Sequence, residues 1–134
     1  MNDAAQIDDT GLERLVALFY GRVREDAELG PVFNDAIHDW PEHLDKLVAF
    51  WSSVMLTTGR YKGNPMAAHL KHAARITPEL FERWLTLWNH TAAEVMAPDA
   101  AAALQGKAAR IAESLQLALF FRLEPRPASK KAAA

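Results

Sequence analysis

The sequence of 134 residues contains no cysteine, which excludes disulfides, thiolate zinc sites, iron–sulfur clusters and cysteine nucleophiles. It has no run of about 18 apolar residues, so we expect no membrane-spanning helix. The N-terminus "MNDAAQIDDT" is acidic and polar, unlike a secretory signal. The formal net charge is −2 and no basic block lies inside the domain, which argues against nucleic acid as a partner. Together these absences favour a cytoplasmic protein.

Apolar residues recur at helical spacing between caps and prolines, and strand-like alternation persists nowhere. The sequence therefore predicts an all-α fold in one domain, with roughly four long helices and two short ones. We expect residues 1–9 to be a flexible N-terminus, 10–122 to form the domain and 123–134 to be a disordered tail. The long helices are predicted over about 11–24, 40–58, 78–96 and 98–121, and the short ones near Pro31 and Pro65. Asp8, Asp9 and Thr10 are the candidate caps of the first helix, while Asn64 and Thr77 are the caps expected before Pro65 and Pro78.

Three helices carry a hydrogen-bonding side chain on an apolar face: Tyr20, His43 and Trp84. On a helical wheel His43 lies beside Leu47 and Phe50, where an imidazole must find a polar partner or face a cavity. The Tyr20 hydroxyl needs a partner when buried, and the Trp84 indole is a donor only. Each residue taken alone is more typical of ordinary core packing. Together they favour a pocket for a ligand or cofactor, with apolar walls and converging polar groups.

The segment "GNPMAAHLKH" places His69 and His72 three residues apart, a spacing that brings two imidazoles together on one helix. A zinc site would need three or four ligands, no clear third follows and no HExxH pattern is present, so zinc ranks low. A single imidazole beside a large apolar pocket instead indicates haem, whose iron needs one proximal protein ligand. His38, His90 and charged stretches such as "RVRED" are predicted to be solvent-exposed.

Four segments, "FYGRVREDAELGPVF", "WPEHLDKLVAFW", "GNPMAAHL" and "FERWLTLW", occur here in the order and at the separations typical of one family. On these segments the sequence resembles a group III truncated haemoglobin over residues 10–122. The resemblance implies a shortened globin whose helices pack two-over-two as a sandwich around haem b (iron protoporphyrin IX). Periodicity alone predicts only an all-α fold.

The resemblance also implies a role for individual residues, carried over by position. His69 would be the proximal ligand of the iron. Tyr20 and Trp84 would donate hydrogen bonds to the bound ligand, and His43 would be the distal histidine that acts as a gate. Further haem-contacting positions would be Phe33, Leu47, Trp51 and Met66.

The stretch after His69 departs from the family pattern, in which an apolar residue and often a proline follow the proximal histidine. Here Lys71 and His72 bring charge and polarity close to the proximal side. His72 would then be a surface residue, a haem-propionate partner or, least favoured, a competing ligand.

A haem with one axial histidine leaves a position for dioxygen, carbon monoxide or nitric oxide, and we expect the function to be binding of these ligands. Donors in a water-poor pocket stabilise partial negative charge on the ligand, so slow dioxygen release is expected.

The alternative is a haem enzyme with peroxidase-like or nitric oxide dioxygenase activity, which would need an external reductase; no catalytic residue is assigned. A haem-free helical interaction module explains an inward His43 poorly. Nothing marks a large exposed apolar surface, so we expect a monomer or a weak homo-oligomer.

Overall fold

The computed structural model describes residues 7–120, in which every regular element is helical, so the predicted all-α fold is confirmed. The order is α1 (Asp9–Glu25), α2 (Leu29–Ala36), α3 (Trp40–Leu56), α4 (Pro65–Leu70), a 3-10 turn (Ala73–Arg75), α5 (Pro78–Val95) and α6 (Pro98–Phe120). Most of the predicted flexible N-terminus and all of the predicted tail lie outside the described residues. No helix within 7–120 combines the length and the apolar content that crossing a bilayer requires.

Three predicted caps explain where α1, α4 and α5 begin. Asp8, Asn64 and Thr77 each accept a hydrogen bond from the backbone amide three residues later, at 2.7, 3.1 and 3.2 Å. Each cap satisfies an N–H of the first turn that has no partner within the helix, an effect worth about 1 kcal/mol. Pro65 and Pro78 follow two of these caps, where a missing N–H breaks no helical hydrogen bond. These helix starts are confirmed.

The helices form two layers that are joined through α1 and α5. Helix α1 packs against α2, α3 and α5, while α5 packs against α6, and α4 touches α6. The pairs α1–α3 and α5–α6 make up the predicted two-over-two arrangement. Each fully buried large apolar side chain contributes about 1.5–3 kcal/mol, so the inner face of α1 anchors both layers. The predicted inner face has no solvent exposure at Leu12, Val16, Phe19 and Val23.

Aromatic rings fill the space between α1, α3 and α5. Trp88 stacks on Trp51 with ring centroids 4.5 Å apart and on Trp84 with centroids 5.6 Å apart. Phe19 meets Trp84 and Trp88 edge-on, at 5.4 and 4.9 Å. The indole Nε1 of Trp88 donates to the carbonyl oxygen of Leu104 on α6 at 3.3 Å, which satisfies its buried polar atom. These contacts restrict the orientation of Trp84 and thus the direction of its own N–H.

The stretch "RVRED" at the end of α1 differs from the prediction. Arg22 is half-buried and donates to Thr91 Oγ1 at 3.0 Å and to Glu94 Oε1 at 2.6 Å, both on α5. Asp26 has only 5% of its side chain exposed and pairs with Arg83 of α5. The hydrogen bond from Arg83 is the main reason that the pKa of Asp26 lies below its ordinary value. The predicted exposed face is therefore wrong for Arg22 and Asp26, which tie α1 to α5.

Candidate functional site

Tyr20 lies in the interior near the end of α1, with only 4% of its surface exposed. Its ring contacts Phe19, Phe33 and Trp40, with centroid distances of 4.6, 5.9 and 6.2 Å. Burial raises the pKa of the Tyr20 phenol well above its ordinary value of 10.0, and the neighbouring Trp84 indole opposes only part of that rise. Tyr20 is therefore a neutral phenol that keeps its hydroxyl proton and can donate it in a hydrogen bond.

Trp84 on α5 brings a second donor to the same place. Its indole is half-buried, and hydrogen bonding from the indole to Tyr20 partly offsets the effect of burial on the phenol pKa. An indole N–H donates and does not accept, whereas a phenol hydroxyl does both. Two donors from helices that are far apart in the sequence thus meet in an apolar surrounding.

His43 on α3 is half-buried, and its ring is perpendicular to that of Trp40 with centroids 5.8 Å apart. Burial is the main cause that lowers the pKa of His43 below its ordinary value of 6.5. The positive charge of Lys46 and the proximity of His69 lower this pKa further, while Glu42 opposes them. His43 is therefore neutral at pH 7, and its imidazole lies within electrostatic range of the His69 imidazole.

His69 lies in the last turn of α4 and is half-buried. Its Nδ1 is 2.7 Å from the carbonyl oxygen of Pro65. Because a carbonyl oxygen can only accept, Nδ1 carries a hydrogen, and in the neutral imidazole Nε2 then keeps its lone pair. A histidine that binds a metal through one nitrogen commonly donates its other N–H to a partner of this kind. The side chain therefore has the tautomer that ligation of an iron through Nε2 requires.

His72 does not share a helix with His69. Helix α4 ends at Leu70, and the exposed His72 precedes the 3-10 turn, with its backbone N donating to the His69 carbonyl oxygen at 3.0 Å. The alternative in which the three-residue spacing pairs both imidazoles on one helix is therefore wrong. Within residues 7–120, no group of three or more His, Cys, Asp or Glu side chains could hold a metal ion.

The predicted apolar contact residues fall into two environments. Phe33, Leu47 and Met66 are half-buried: they pack against the core on one side and leave apolar surface on the other. Transfer of such apolar surface out of water would favour the binding of an apolar group. Trp51 has only 2% of its surface exposed and stacks on Trp88, so it belongs to the aromatic core behind Trp84.

The connection from α3 to α4 is held against α3. Helix α3 ends at Leu56 and not at the predicted Thr58, because the left-handed backbone of Thr57 (φ 55°) turns the chain out of the helix. The side-chain oxygens of Ser52 and Thr58 are 2.8 Å apart, and Ser53 Oγ accepts a hydrogen bond from the backbone N of residue 61 at 2.8 Å. The start of α4 is therefore positioned by contacts to α3.

Tyr61 and Gly63 form the last contact before the cap of α4. The Tyr61 ring packs edge-on against Phe50 with centroids 5.3 Å apart, and burial raises the pKa of its phenol. A Cβ added at Gly63 would lie 2.5 Å from the Tyr61 hydroxyl oxygen. Only a glycine therefore lets Tyr61 keep this position, one residue before Asn64, which caps the helix that carries His69.

We expect Gly63→Ala to lower the free energy of unfolding by about 1–3 kcal/mol, because the added methyl group must displace the Tyr61 ring. Gly21→Ala is the matched control: its Cβ would have no heavy atom within 4 Å, and alanine in a helix is favoured by about 0.5–1 kcal/mol. Urea unfolding of the full chain measures both. If the two variants have equal free energies of unfolding, the Tyr61 ring does not restrict the side chain at residue 63.

Comparison with known proteins places the chain in a family. No family model matches the chain. A group 3 truncated hemoglobin from Campylobacter jejuni is 37% identical over 89 residues, which cover 63% of this chain and 69% of that protein. The crystal structure of a group III truncated hemoglobin from Campylobacter jejuni matches with a TM-score of 0.78 and 32% identity, covering 89% of this chain and 96% of the other.

The chain therefore belongs to the group III truncated haemoglobins. This confirms the resemblance inferred from its sequence, and membership of a haemoglobin family implies a haem cofactor. Among the residues described above, His69 offers a group of the right chemistry for a haem iron, an imidazole whose Nδ1 is bound to a carbonyl oxygen.

Trp40 is a residue of this region that we did not predict. It contacts both Tyr20 and His43, with 8% of its surface exposed. A signal was present in the sequence, because Trp40 and His43 are three residues apart at the start of one helix and share a face. A tryptophan on an apolar face is so common in protein cores that the pattern alone does not mark it as part of a site.

Proposed function

We propose that residues 10–122 form a b-type haem protein that binds dioxygen and other diatomic ligands. The observation that carries the proposal is the meeting of two donors, the Tyr20 hydroxyl and the Trp84 N–H, in an apolar surrounding. The His69 imidazole, whose Nδ1 is bound to the Pro65 carbonyl oxygen, supports it as a group that can ligate an iron through Nε2. A non-covalent haem is favoured because covalent attachment of the c type uses two cysteines, and the chain has no cysteine.

In this proposal His69 ligates the iron through Nε2, and the Pro65 carbonyl oxygen fixes the imidazole through Nδ1. Phe33, Leu47 and Met66 cover the apolar surface of the porphyrin, while Trp51 supports the Trp84 side from the core. The haem would supply a ferrous iron with one open coordination position for a diatomic molecule.

Tyr20 and Trp84 would stabilise a ligand that gains negative charge on binding. A hydrogen bond to a charged group contributes roughly 1.5–3 kcal/mol, which corresponds to about one to two decades in affinity. Dioxygen gains such charge and carbon monoxide gains little. The two donors should therefore slow the release of dioxygen much more than the release of carbon monoxide.

Absorption spectra of the haem-loaded full chain test this proposal. We expect a Soret band, a five-coordinate ferrous form, and an oxygenated form that persists long enough to be recorded. A purified chain that takes up no haem, or a ferrous form with two axial protein ligands, would contradict it.

Peroxidase-like catalysis is less favoured by the structure. An electron-rich proximal histidine usually donates its N–H to a carboxylate, whereas the partner of His69 Nδ1 is the neutral carbonyl oxygen of Pro65. Ligand binding therefore ranks ahead of peroxidase-like catalysis, and turnover of a peroxidase dye by the haem-loaded chain would reverse this order.

We propose that His43 controls access to the distal side. Because the imidazole is neutral and half-buried, moving it from the interior into solvent separates no ion pair. We expect His43→Leu to change the association rate of carbon monoxide several-fold while the dioxygen release rate stays within about twofold, since Tyr20 remains. Flash photolysis and stopped-flow mixing measure the two rates, with His38→Leu in an exposed histidine as the control. A large rise in dioxygen release would identify His43 as a direct donor.

A further inference from the structure

Trp40, the first residue of α3, lies between the protein surface and two proposed distal residues. Its ring centroid is 6.2 Å from that of Tyr20 and 5.8 Å from that of His43, and its plane is perpendicular to the imidazole. Both distances are within the range of favourable aromatic contacts. The position of Trp40 therefore bears directly on where the His43 ring can rest.

Arg24 covers Trp40 from outside. The carbon at the centre of its guanidinium group is 4.7 Å from the centroid of the Trp40 ring, which is a cation–π contact. The backbone beneath this side chain is fixed, because the Arg24 carbonyl oxygen accepts a hydrogen bond from Asn34 Nδ2 at 3.2 Å. Gly30 also approaches that oxygen so closely that a Cβ would lie 2.7 Å from it. The guanidinium group of Arg24 thus extends from a fixed backbone over the Trp40 ring, which in turn contacts His43.

On the basis of the proposed gate role of His43, we propose that Arg24 and Trp40 are positioning residues that keep His43 in its half-buried position and so limit the rate of ligand access. Trp40 supplies the surface on which the imidazole rests, and Arg24 keeps Trp40 in place. Loosening either contact lets His43 leave the interior more often. Ligand association should then become faster, while the donors that retain dioxygen stay unchanged.

Flash photolysis of the carbon monoxide complex of the haem-loaded full chain tests this inference. We expect Arg24→Met, which keeps an aliphatic stem and loses the charge, to raise the association rate about two- to fivefold. Arg24→Lys should remain close to the unsubstituted rate, because an ammonium group also binds an aromatic face. Arg14→Met, in an exposed arginine of the same helix, is the control and should change nothing. Trp40→Leu should give the largest increase in the association rate. If the leucine variant folds poorly, Trp40→Phe, which keeps an aromatic ring, takes its place.

Repeating the Arg24 and Trp40 substitutions in a His43→Leu background separates this inference from a general loosening of the fold. Without the imidazole, they should have little further effect on the rate. A second readout is the nuclear Overhauser contact between the Trp40 and His43 rings in the carbon monoxide complex, which should weaken in Arg24→Met and return in Arg24→Lys.

Two results would overturn the inference while leaving the gate role of His43 intact. One is a carbon monoxide association rate that changes in His43→Leu but stays the same in Arg24→Met and in the Trp40 variants. The other is the same fold-increase for Arg24→Met with and without His43. If His43→Leu itself leaves the rate unchanged, the gate role fails and this inference fails with it.

Discussion

Replacing His69 with alanine should strip most of the haem from the chain. Only Nε2 of this residue is available to bind a metal, because Nδ1 donates a hydrogen bond to the Pro65 carbonyl oxygen at 2.7 Å. Loss of a partner that merely orients a metal ligand costs about 10–100-fold in metal affinity, so loss of the ligand itself should exceed that range. The measurement is the rate at which the haem-loaded variant transfers haem to an apo-globin in excess.

The chain offers its own control for this experiment. His72 is three residues further on, exposed and outside α4, so His72→Ala should retain haem and keep the unsubstituted ferrous spectrum. Added imidazole should restore a five-coordinate ferrous spectrum to His69→Ala, since it can fill the space left by the missing side chain. A His69→Ala chain with an unchanged spectrum, combined with haem loss in His72→Ala, would move the proximal role to His72.

The starts of the helices could be predicted because their signals are local. Asp8, Asn64 and Thr77 each serve an amide three residues away, so the sequence itself displays both the cap and the helix that it begins. The ends were harder to predict. Helix α3 stops where Thr57 takes a left-handed backbone, and this residue carries no Gly or Pro signal for it.

Long-range ion pairs could not be predicted from local patterns. Arg22 donates to Thr91 and Glu94, which are 69 and 72 positions away, and Asp26 binds Arg83 at a separation of 57. Their charges looked like an exposed helix face, since helical periodicity places them away from the buried stripe. Only the packing of α1 on α5 brings the partners together, and it removes the Asp26 carboxylate from solvent.

The same distinction applies to the candidate site. Tyr20, His43 and Trp84 could be singled out because a hydrogen-bonding group on an apolar helix face is conspicuous in the sequence. Trp40 and Arg24 could not, because a tryptophan on an apolar face and an arginine on a polar face are each ordinary. Their importance arises from the meeting of α1 with the first turn of α3, where the guanidinium group covers the ring.

Replacing Tyr20 with phenylalanine should accelerate dioxygen release by about tenfold or more, from the loss of one strong hydrogen bond. The substitution keeps the ring, so the contacts with Phe19, Phe33 and Trp40 survive and only the hydroxyl is lost. Stopped-flow displacement of dioxygen by carbon monoxide gives the release rate. Carbon monoxide release should change far less, because that ligand gains little negative charge.

Tyr61 is the matched control, because it is the second of the two tyrosines in the chain and its phenol lies over Gly63 and not beside Trp84. Tyr61→Phe should leave dioxygen release unchanged. Burial raises the pKa of the Tyr20 phenol, so the hydroxyl stays protonated and the release rate of the unsubstituted chain should be flat between about pH 7 and pH 9. If Tyr20→Phe releases dioxygen at the unsubstituted rate while Trp84→Phe releases it faster, then the indole retains the ligand and the phenol serves to orient it.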